Sequence, residues 1–463
     1  MVVASGVDTQ HSSISCSLNG RRSAANLCVC TPPWEGADCG RLAFAPAPPN
    51  SGYTAAGGAW GGEIVAGADG KHHLYAAAMS NGCFLKHWGG NSRVEHAVSS
   101  AGAAGPYAFE SVAVDVEAHN PAAIAMTNTS LGYKYAIFHI GAGVNGTDGG
   151  SNCTSDAPCC QPADGGPGCA ACVPPRPPRP AVTSRPPTGG AGSSVHVSDS
   201  LSGPWRPLPG LTGAASRCNN PAPALHHNGS LFLMCTSSTL LRSEHGDPAG
   251  PWSTVGSLNR SAAPVPHLED ASLWVAEDGA FHALFHAFAM KAGELCWGKP
   301  CDPLPKCAGA TVSAHAFSAD GIAWRWSGEQ PYDNEVLLAG GGSKRFATRE
   351  RPKLLLGADG VPTHLTNGVV DVPYCGRSNS TCAPCKTKGY ETRTLVVPLA
   401  LKSDDATAPP ATVARTPPMG WSSWNAVHGG INEAVITNIT DALVSTGLAA
   451  AGYVYVNLDD CVS

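Results

Sequence analysis

The chain has 463 residues, 43% of them hydrophobic and 14% charged, with a formal net charge of −6. That length allows two or three domains with real cores. The weak negative balance gives no electrostatic case for a nucleic-acid or anionic-membrane partner, and no stretch is long and apolar enough to span a bilayer. Nineteen cysteines point to an oxidising compartment, and so do seven Asn-x-Ser/Thr sequons at Asn128, Asn145, Asn152, Asn228, Asn259, Asn379 and Asn438. The protein is therefore expected to be secreted or lumenal.

Residues 1–15 read as a disordered N-terminus without the basic and apolar regions of a leader. Residues 16–40 carry Cys16, Cys28, Cys30 and Cys39, with Trp34-Glu35-Gly36 ahead of the last. The C-x-C-x8-C ending resembles the second half of an EGF-like module, with four cysteines where such modules carry six. That resemblance implies disulfides Cys16–Cys28 and Cys30–Cys39. A four-thiol zinc site is the alternative.

Residues 58–400 hold a degenerate repeat. One element leads a strand: HNPAAI (119–124), NNPAPAL (219–225), LEDASLW (268–274) and RERPKLLL (349–356). A second is an Asx-Gly turn before an apolar strand: ADGKHHLYAA (68–77), HNGSLFLMC (227–235), EDGAFHALF (277–285) and ADGVPTHL (358–365). A third closes each unit: GPY (105–107), GPW (203–205), GPW (250–252) and DGIAW (320–324). Asx-Gly between apolar runs marks a hairpin. Hairpin units recurring after about 50 residues describe four-stranded blades. With GGEIVAG (61–67) as a first copy, there are five units. They resemble the five-bladed propellers of glycoside hydrolases such as arabinanases, xylosidases and invertases. A two-sheet sandwich is the alternative. The Cys-, Pro- and Gly-rich stretch 142–190 reads as an insertion. Cys169-Ala-Ala-Cys172 and Cys382-Ala-Pro-Cys385 read as disulfide cysteines rather than redox pairs.

The propeller resemblance implies three acids around a central channel: a base Asp, an Asp that tunes its neighbours, and an acid Glu. The first unit offers Glu63. The third offers Asn220, and an amide has no charge with which to tune a neighbour. Glu269 stands where the acid is expected. The propeller is thus expected to hold a glycan at the channel mouth without cleaving it. Candidate residues are Glu63, His119, Asn120, Asn220, Glu269, Asp270, Arg349 and Glu350.

Residues 401–412 read as a polar linker. From Thr416 the chain reads TPPMGWSSWNAV, then a helix with Asn432 as N-cap and a stripe of Ile431, Val435, Ile439 and Leu443. A buried parallel strand, Tyr453 to Leu458, leads to Asp459 and Asp460. Residues 413–463 resemble the first β-α-β unit of the barrel in retaining α-galactosidases and α-N-acetylgalactosaminidases. The resemblance implies that Asp459 and Asp460 bind sugar hydroxyls and that Trp424 packs on the sugar. It places the two catalytic Asp residues on the fourth and sixth strands, so this segment carries neither nucleophile nor acid/base. Val462 stands where the family has Trp, and Gly429 where it has the partner of Cys461.

The expected fold class is mainly β: a five-bladed propeller, then the first β-α-β unit of an incomplete (β/α)8 barrel. The expected function is α-galactosidase-like hydrolysis of terminal α-galactosides by the complete protein, with this chain inactive by itself. Two alternatives are a non-catalytic glycan-binding or adhesion propeller, and a propeller glycosidase acting on arabinosides or xylosides. The partner is a carbohydrate in each case. No phosphate-binding loop, dinucleotide fingerprint or metal-ligand spacing is present, so no cofactor or metal is expected.

Overall fold

Four Asx-Gly pairs build the same hairpin turn. In each, the Asp or Asn side chain accepts the amide two residues on: Asp69 from Lys71 (3.1 Å), Asn228 from Ser230 (3.0 Å), Asp278 from Ala280 (3.0 Å) and Asp359 from Val361 (3.1 Å). The intervening glycines take left-handed φ values of +76°, +83°, +86° and +73°, which glycine adopts without a Cβ clash. The computed structural model describes residues 16–80, 85, 88–143, 192–236, 238–243, 245–265, 267–291, 294–295, 310–370, 392–401, 420–449, 453 and 455–458. The chain divides into two units, residues 1–401 and 402–463.

The first unit begins with two short antiparallel pairs. β1 (Gly20–Arg22) pairs with β2 (Cys28–Cys30), and β3 (Trp34–Glu35) with β4 (Arg41–Leu42). Disulfides join Cys16 to Cys28 and Cys30 to Cys39. Trp34 stacks on His315 and Trp274, at 4.9 and 6.1 Å between ring centres. Asp38 accepts the Gly328 amide at 2.7 Å. This cysteine-bridged piece is a cap packed on the propeller.

Five antiparallel sheets follow. Blade 1 contains β5 (Ala59–Ala66), β6 (His72–Met79), β7 (Ser92–Ser99) and β8 (Ala108–Val114), with the short helix α1 (Trp88–Asn91) between β6 and β7. Blade 2 contains β9 (His119–Ala125), β10 (Tyr135–Ile140), β11 (Ser193–Ser198) and β12 (Arg206–Pro207). Blade 3 contains β13 (Ala222–Leu225), β14 (Leu231–Met234), β15 (Thr239–Ser243) and β16 (Ser253–Ser257). Blade 4 contains β17 (Leu268–Val275), β18 (Phe281–Lys291), β20 (Thr311–Ser318) and β21 (Arg325–Trp326), with β19 (Glu294–Leu295) as a spur on β18. A hairpin of β22 (Glu335–Leu337) and β23 (Ser343–Arg345) leads into blade 5, which contains β24 (Thr348–Leu356), β25 (Pro362–Val370) and β26 (Thr392–Pro398).

The inner strands neighbour one another in the order β5, β9, β13, β17, β24 and back to β5, which makes the fold a closed five-bladed propeller. The Gly-Pro-aromatic motifs fall between the third and fourth strands of blades 1 to 3. Blade 5 borrows its fourth strand position from the stretch ahead of blade 1. Phe44 bridges Leu399, and Tyr53 exchanges backbone bonds with Thr394 at 2.9 and 3.0 Å. The chain's early and late parts are thereby tied into one ring.

Large apolar side chains fill the gaps between blades. Phe232, Leu240, Leu273 and Phe281 pack between blades 3 and 4, and Phe138, Val197, Leu233 and Trp252 between blades 2 and 3. Cys218 and Cys235 form a disulfide in blade 3. Blades 1, 2 and 4 each bury a histidine pair across their second and third strands: His73–His96 at 2.8 Å, His139–His196 at 2.9 Å and His282–His315 at 3.2 Å.

In the second unit β27 (Gly420–Ser422) pairs in parallel with β28 (Tyr455–Asn457), with α2 (Ser423–Val427) and α3 (Glu433–Ser445) between them. The Asn432 side chain caps α3 by accepting the Val435 amide at 3.0 Å. Among the described residues no helix is long and apolar enough to cross a membrane. The expectations for residues 1–15, the insertion from 144 on, the linker after Leu401, both Cys-x-x-Cys motifs, Asp459, Asp460 and Cys461 lie outside the described residues.

Candidate site at the channel mouth

Each blade's leading motif presents one residue with a left-handed backbone: Gly61 (φ +67°), Asn120 (+50°), Asn220 (+50°), Asp270 (+56°) and Arg351 (+54°). In blades 1, 4 and 5 the pairing to the second strand skips a residue at this point. Such a bulge kinks the strand and re-aims one side chain. Asn and Asp enter this region at little cost, whereas Arg351 needs partners to hold it there.

Four of these side chains meet. Asn120 Nδ2 donates to Asn220 Oδ1 at 2.8 Å and lies 3.3 Å from Asp270 Oδ1. The Arg351 guanidinium donates to Asp270 Oδ1 at 3.0 Å and to Asn220 Oδ1 at 3.2 Å. All four are buried. The network is a cross-brace that ties blades 2, 3, 4 and 5 together. Lys353, also buried, donates to the Ala271 carbonyl at 2.8 Å. Burial lowers the Lys353 amine, while Glu63 and Asp270 oppose that shift.

Beside the brace stand Glu269, Glu350 and His286. Glu269, Asp270, His286 and Glu350 each bring one polar atom within 4.8 Å of the others. His286 lies 4.0 Å from Glu269, 3.9 Å from Asp270 and 3.9 Å from Glu350, beyond hydrogen-bond length. Burial, with Asp270 adding to it, pushes the Glu269 carboxyl up to about 7. Burial, again aided by Asp270, pushes Glu350 up to about 8. Burial and Arg351 push His286 down to about 3, which leaves a neutral ring. The Glu269 side chain is 28% exposed and that of Glu350 12%, so solvent reaches both, Glu269 more. Nearby, the half-exposed Trp88 indole stacks on the buried His119 ring at 4.6 Å, and Ser92 Oγ holds His119 Nδ1 at 2.7 Å.

The structure therefore brings together Asn120, Asn220, Glu269, Asp270 and Glu350, with His119 at the edge. It sets Arg349 apart from them and links Glu63 to them through the charge of the buried Lys353. Blade 1 contributes Gly61 to the ring by register, and Glu63 falls two residues further along β5, opposite Tyr75. Burial raises Glu63 to about 7, with Lys353 opposing. Arg349 is fully buried. It donates to Asn367 Oδ1 at 2.8 Å and to the Asp333 carbonyl at 3.0 Å, between the Phe44 and Tyr332 rings. It is a packing residue of blade 5.

Three participants escaped sequence reading. Arg351 precedes Pro352 just as Asn120 precedes Pro121 and Asn220 precedes Pro221, so the repeat held the signal. His286 faces Glu269 through strand register alone, and Trp88 lies on a connecting helix outside the repeat. In the second unit Trp424 is exposed, with its ring edge-on to His428 at 5.4 Å.

No family model matches the chain. Its C-terminal segment is similar to curated α-galactosidases. Over 49 residues it is 61% identical to the α-galactosidase of Oryza sativa subsp. japonica, covering 11% of this chain and 12% of that protein. It is 61% identical over 49 residues to a probable α-galactosidase of Dictyostelium discoideum, covering 11% and 13%. The chain thus spans only about an eighth of the length of the curated relatives it matches. Among solved structures, a family 117 glycoside hydrolase from Zobellia galactanivorans aligns with a TM-score of 0.44 and 12% identity, over 79% of this chain and 92% of that one. A thermostable family-43 glycoside hydrolase aligns with a TM-score of 0.41 and 9% identity, over 76% and 93%. An endo-arabinase from Bacteroides thetaiotaomicron gives 0.40 and 11%, over 77% and 97%.

Proposed function

We propose that the propeller is a glycoside hydrolase module whose channel mouth works through Glu269 and Glu350. The observation that carries this reading is the pair itself: two solvent-reached carboxyls, with oxygens within 4.8 Å, both held near neutrality. Retaining glycosidases place their two carboxyl groups about 5–5.5 Å apart, inverting ones about 6.5–9.5 Å. An oxygen of each within 4.8 Å is compatible with the shorter spacing, and retention is the outcome we propose.

Glu350, the more buried, keeps its proton to higher pH and is the donor. Glu269, which stands where the resembled propellers carry their acid, ionises first here and takes the role of nucleophile instead. The Glu269 carboxylate attacks the anomeric carbon while Glu350 gives its proton to the departing glycosidic oxygen. Water then attacks the glycosyl ester, returning a proton to Glu350 and freeing Glu269. Trp88 offers an indole face for the apolar side of a sugar. Asp270 has the reverse task. Burial raises its own carboxyl, Arg351 and Lys353 oppose that shift, and its charge in turn holds up the carboxyls of Glu269 and Glu350.

The substrates we expect are arabinosides or xylosides, in the manner of the hydrolase propellers that the repeat resembles. Release of nitrophenol from such glycosides, lost in Glu269→Gln and Glu350→Gln, tests the reading. A second reading is glycan binding without turnover. It is favoured by the amide of Asn220, which stands where the resembled hydrolase propellers use an acid. Glycan-array binding with no turnover would select it.

We also propose that residues 413–463 open an α-galactosidase-like barrel, in which Trp424, Asp459 and Asp460 line the sugar pocket. Support comes from the 61% identity over 49 residues. Hydrolysis of a nitrophenyl α-galactoside by a product that continues through later barrel strands tests this part. The three disulfides and the lack of a membrane-spanning helix among the described residues fit our placement of the protein in the secretory route.

A further inference from the structure

Four sequons have described asparagines, and the fold treats them differently. Asn438 lies inside α3, where Thr440 of its sequon bonds back to the Ile436 carbonyl at 2.8 Å. Asn128 uses its side-chain nitrogen to donate to the His245 carbonyl at 2.9 Å, which ties blade 2 to blade 3. Asn228 and Asn259 are both exposed. Each turns its Oδ1 inward, Asn228 to the Ser230 amide at 3.0 Å and Asn259 to the Ser261 amide at 3.1 Å. Neither side-chain nitrogen has a hydrogen-bond partner among the described residues.

The two backbones are also held still. Asn228 sits in the Asx-Gly turn between β13 and β14, and its own amide donates to His226 Nδ1 at 3.2 Å. Asn259 is the N-cap of a single 3-10 turn, and Trp326 Nε1 donates to its carbonyl at 3.0 Å. An attached sugar therefore displaces no side-chain hydrogen bond at either site. At Asn128 it would crowd the bond to blade 3, and on α3 it would stand on a helix face.

We propose that, among the described residues of the propeller, Asn228 and Asn259 are the glycosylated asparagines. The donor class is a lipid-pyrophosphate-linked oligosaccharide. The asparagine Nδ2 forms a bond to the anomeric carbon, the bond from that carbon to the phosphate oxygen breaks, and the lipid pyrophosphate departs as Nδ2 loses one proton. The two sites decorate opposite ends of blade 3. Asn228 lies at the far end of β13 from Asn220. Asn259 lies in the connection to β17, whose second residue is Glu269, and the adjoining Arg260 donates to the Leu268 carbonyl at 2.8 Å. One glycan thus stands on the mouth side and the other on the reverse.

The test is glycopeptide mapping of the full chain secreted from a eukaryotic host. Peptide-N-glycosidase in heavy-oxygen water marks each formerly occupied asparagine as labelled Asp. Label at Asn228 and Asn259 in most molecules, and in few or none at Asn128, is expected. Asn228→Gln and Asn259→Gln should each remove one glycan from the intact mass, with tryptophan fluorescence unchanged. A protein whose Cys218–Cys235 disulfide is formed but whose Asn228 and Asn259 are unlabelled would overturn the proposal, as would occupancy at Asn128 equal to theirs.

Discussion

Removing the histidine pair of blade 2 should flatten the protein's response to acid. His139 Nε2 and His196 Nδ1 lie 2.9 Å apart, and both rings are buried. A hydrogen bond between two imidazoles needs one N–H and one lone pair, so it cannot survive protonation of both rings, and burial disfavours even one charge. Burial, with His196 adding to it, pushes His139 down to about 3, and burial pushes His196 down to about 4. In the unfolded chain both titrate near ~6.5. The folded values lie below the unfolded ones, so the unfolded state takes up protons first as pH falls. The pair's support is intact above about 6.5 and is lost progressively below it, down to the folded values. Between about pH 7 and about pH 5 each histidine loses about 2 kcal/mol, hence about 4 kcal/mol for the pair. A His139→Met/His196→Met variant fills the space with adaptable apolar side chains that do not titrate. Urea unfolding of parent and variant, followed by tryptophan fluorescence at both pH values, gives the difference directly. The channel carboxyls, raised by folding, gain stability as pH falls, but they are common to both proteins and cancel. The parent should lose about 4 kcal/mol more than the variant over this interval. Losses equal to within about 1 kcal/mol would refute the argument.

Other outcomes follow from the channel. Arg351→Met leaves Asp270 buried without its ion, and stability in urea should fall by about 3–5 kcal/mol. Adding Asp270→Asn should restore a good part of that loss, and a purely additive double variant would show that the brace is not coupled. Trp88→Ala should raise KM about tenfold with kcat nearly unchanged, because the indole binds the sugar without touching the reacting bond. Turnover against pH should be bell-shaped with limbs near the two carboxyl values, about 7 and about 8. Below the lower value the nucleophile is protonated, and above the upper value the acid has lost its proton. A profile flat through this range would contradict the assignment.

The sequence displayed local features well and long-range ones poorly. Asp69-Gly70, Asn228-Gly229, Asp278-Gly279 and Asp359-Gly360 could be read as hairpins because a turn is decided by two or three neighbouring residues. The blade count followed from them. Ring closure could not be read, since Phe44 and Tyr53 meet Leu399 and Thr394 from the far end of the propeller. The cap read as a cysteine module, yet no local pattern says that Trp34 will stack on His315. At the site, Asn120, Asn220 and Asp270 were found because each sits in the same short motif. In blade 1 Gly61 takes the left-handed position, and Glu63, two residues on, acts on the charge of Lys353, a link that only the folded ring creates. His286 meets Glu269 only through cross-strand pairing, which no spacing along the chain reveals.

The most direct test of the central claim is turnover of a panel of nitrophenyl arabinosides and xylosides by the full chain, beside Glu269→Gln and Glu350→Gln, with the anomer of the released sugar read by NMR. The account predicts hydrolysis with retention, falling by about a hundredfold or more in each variant while the fold is kept. Hydrolysis that survives both substitutions would contradict it, and so would glycan binding with no turnover at all.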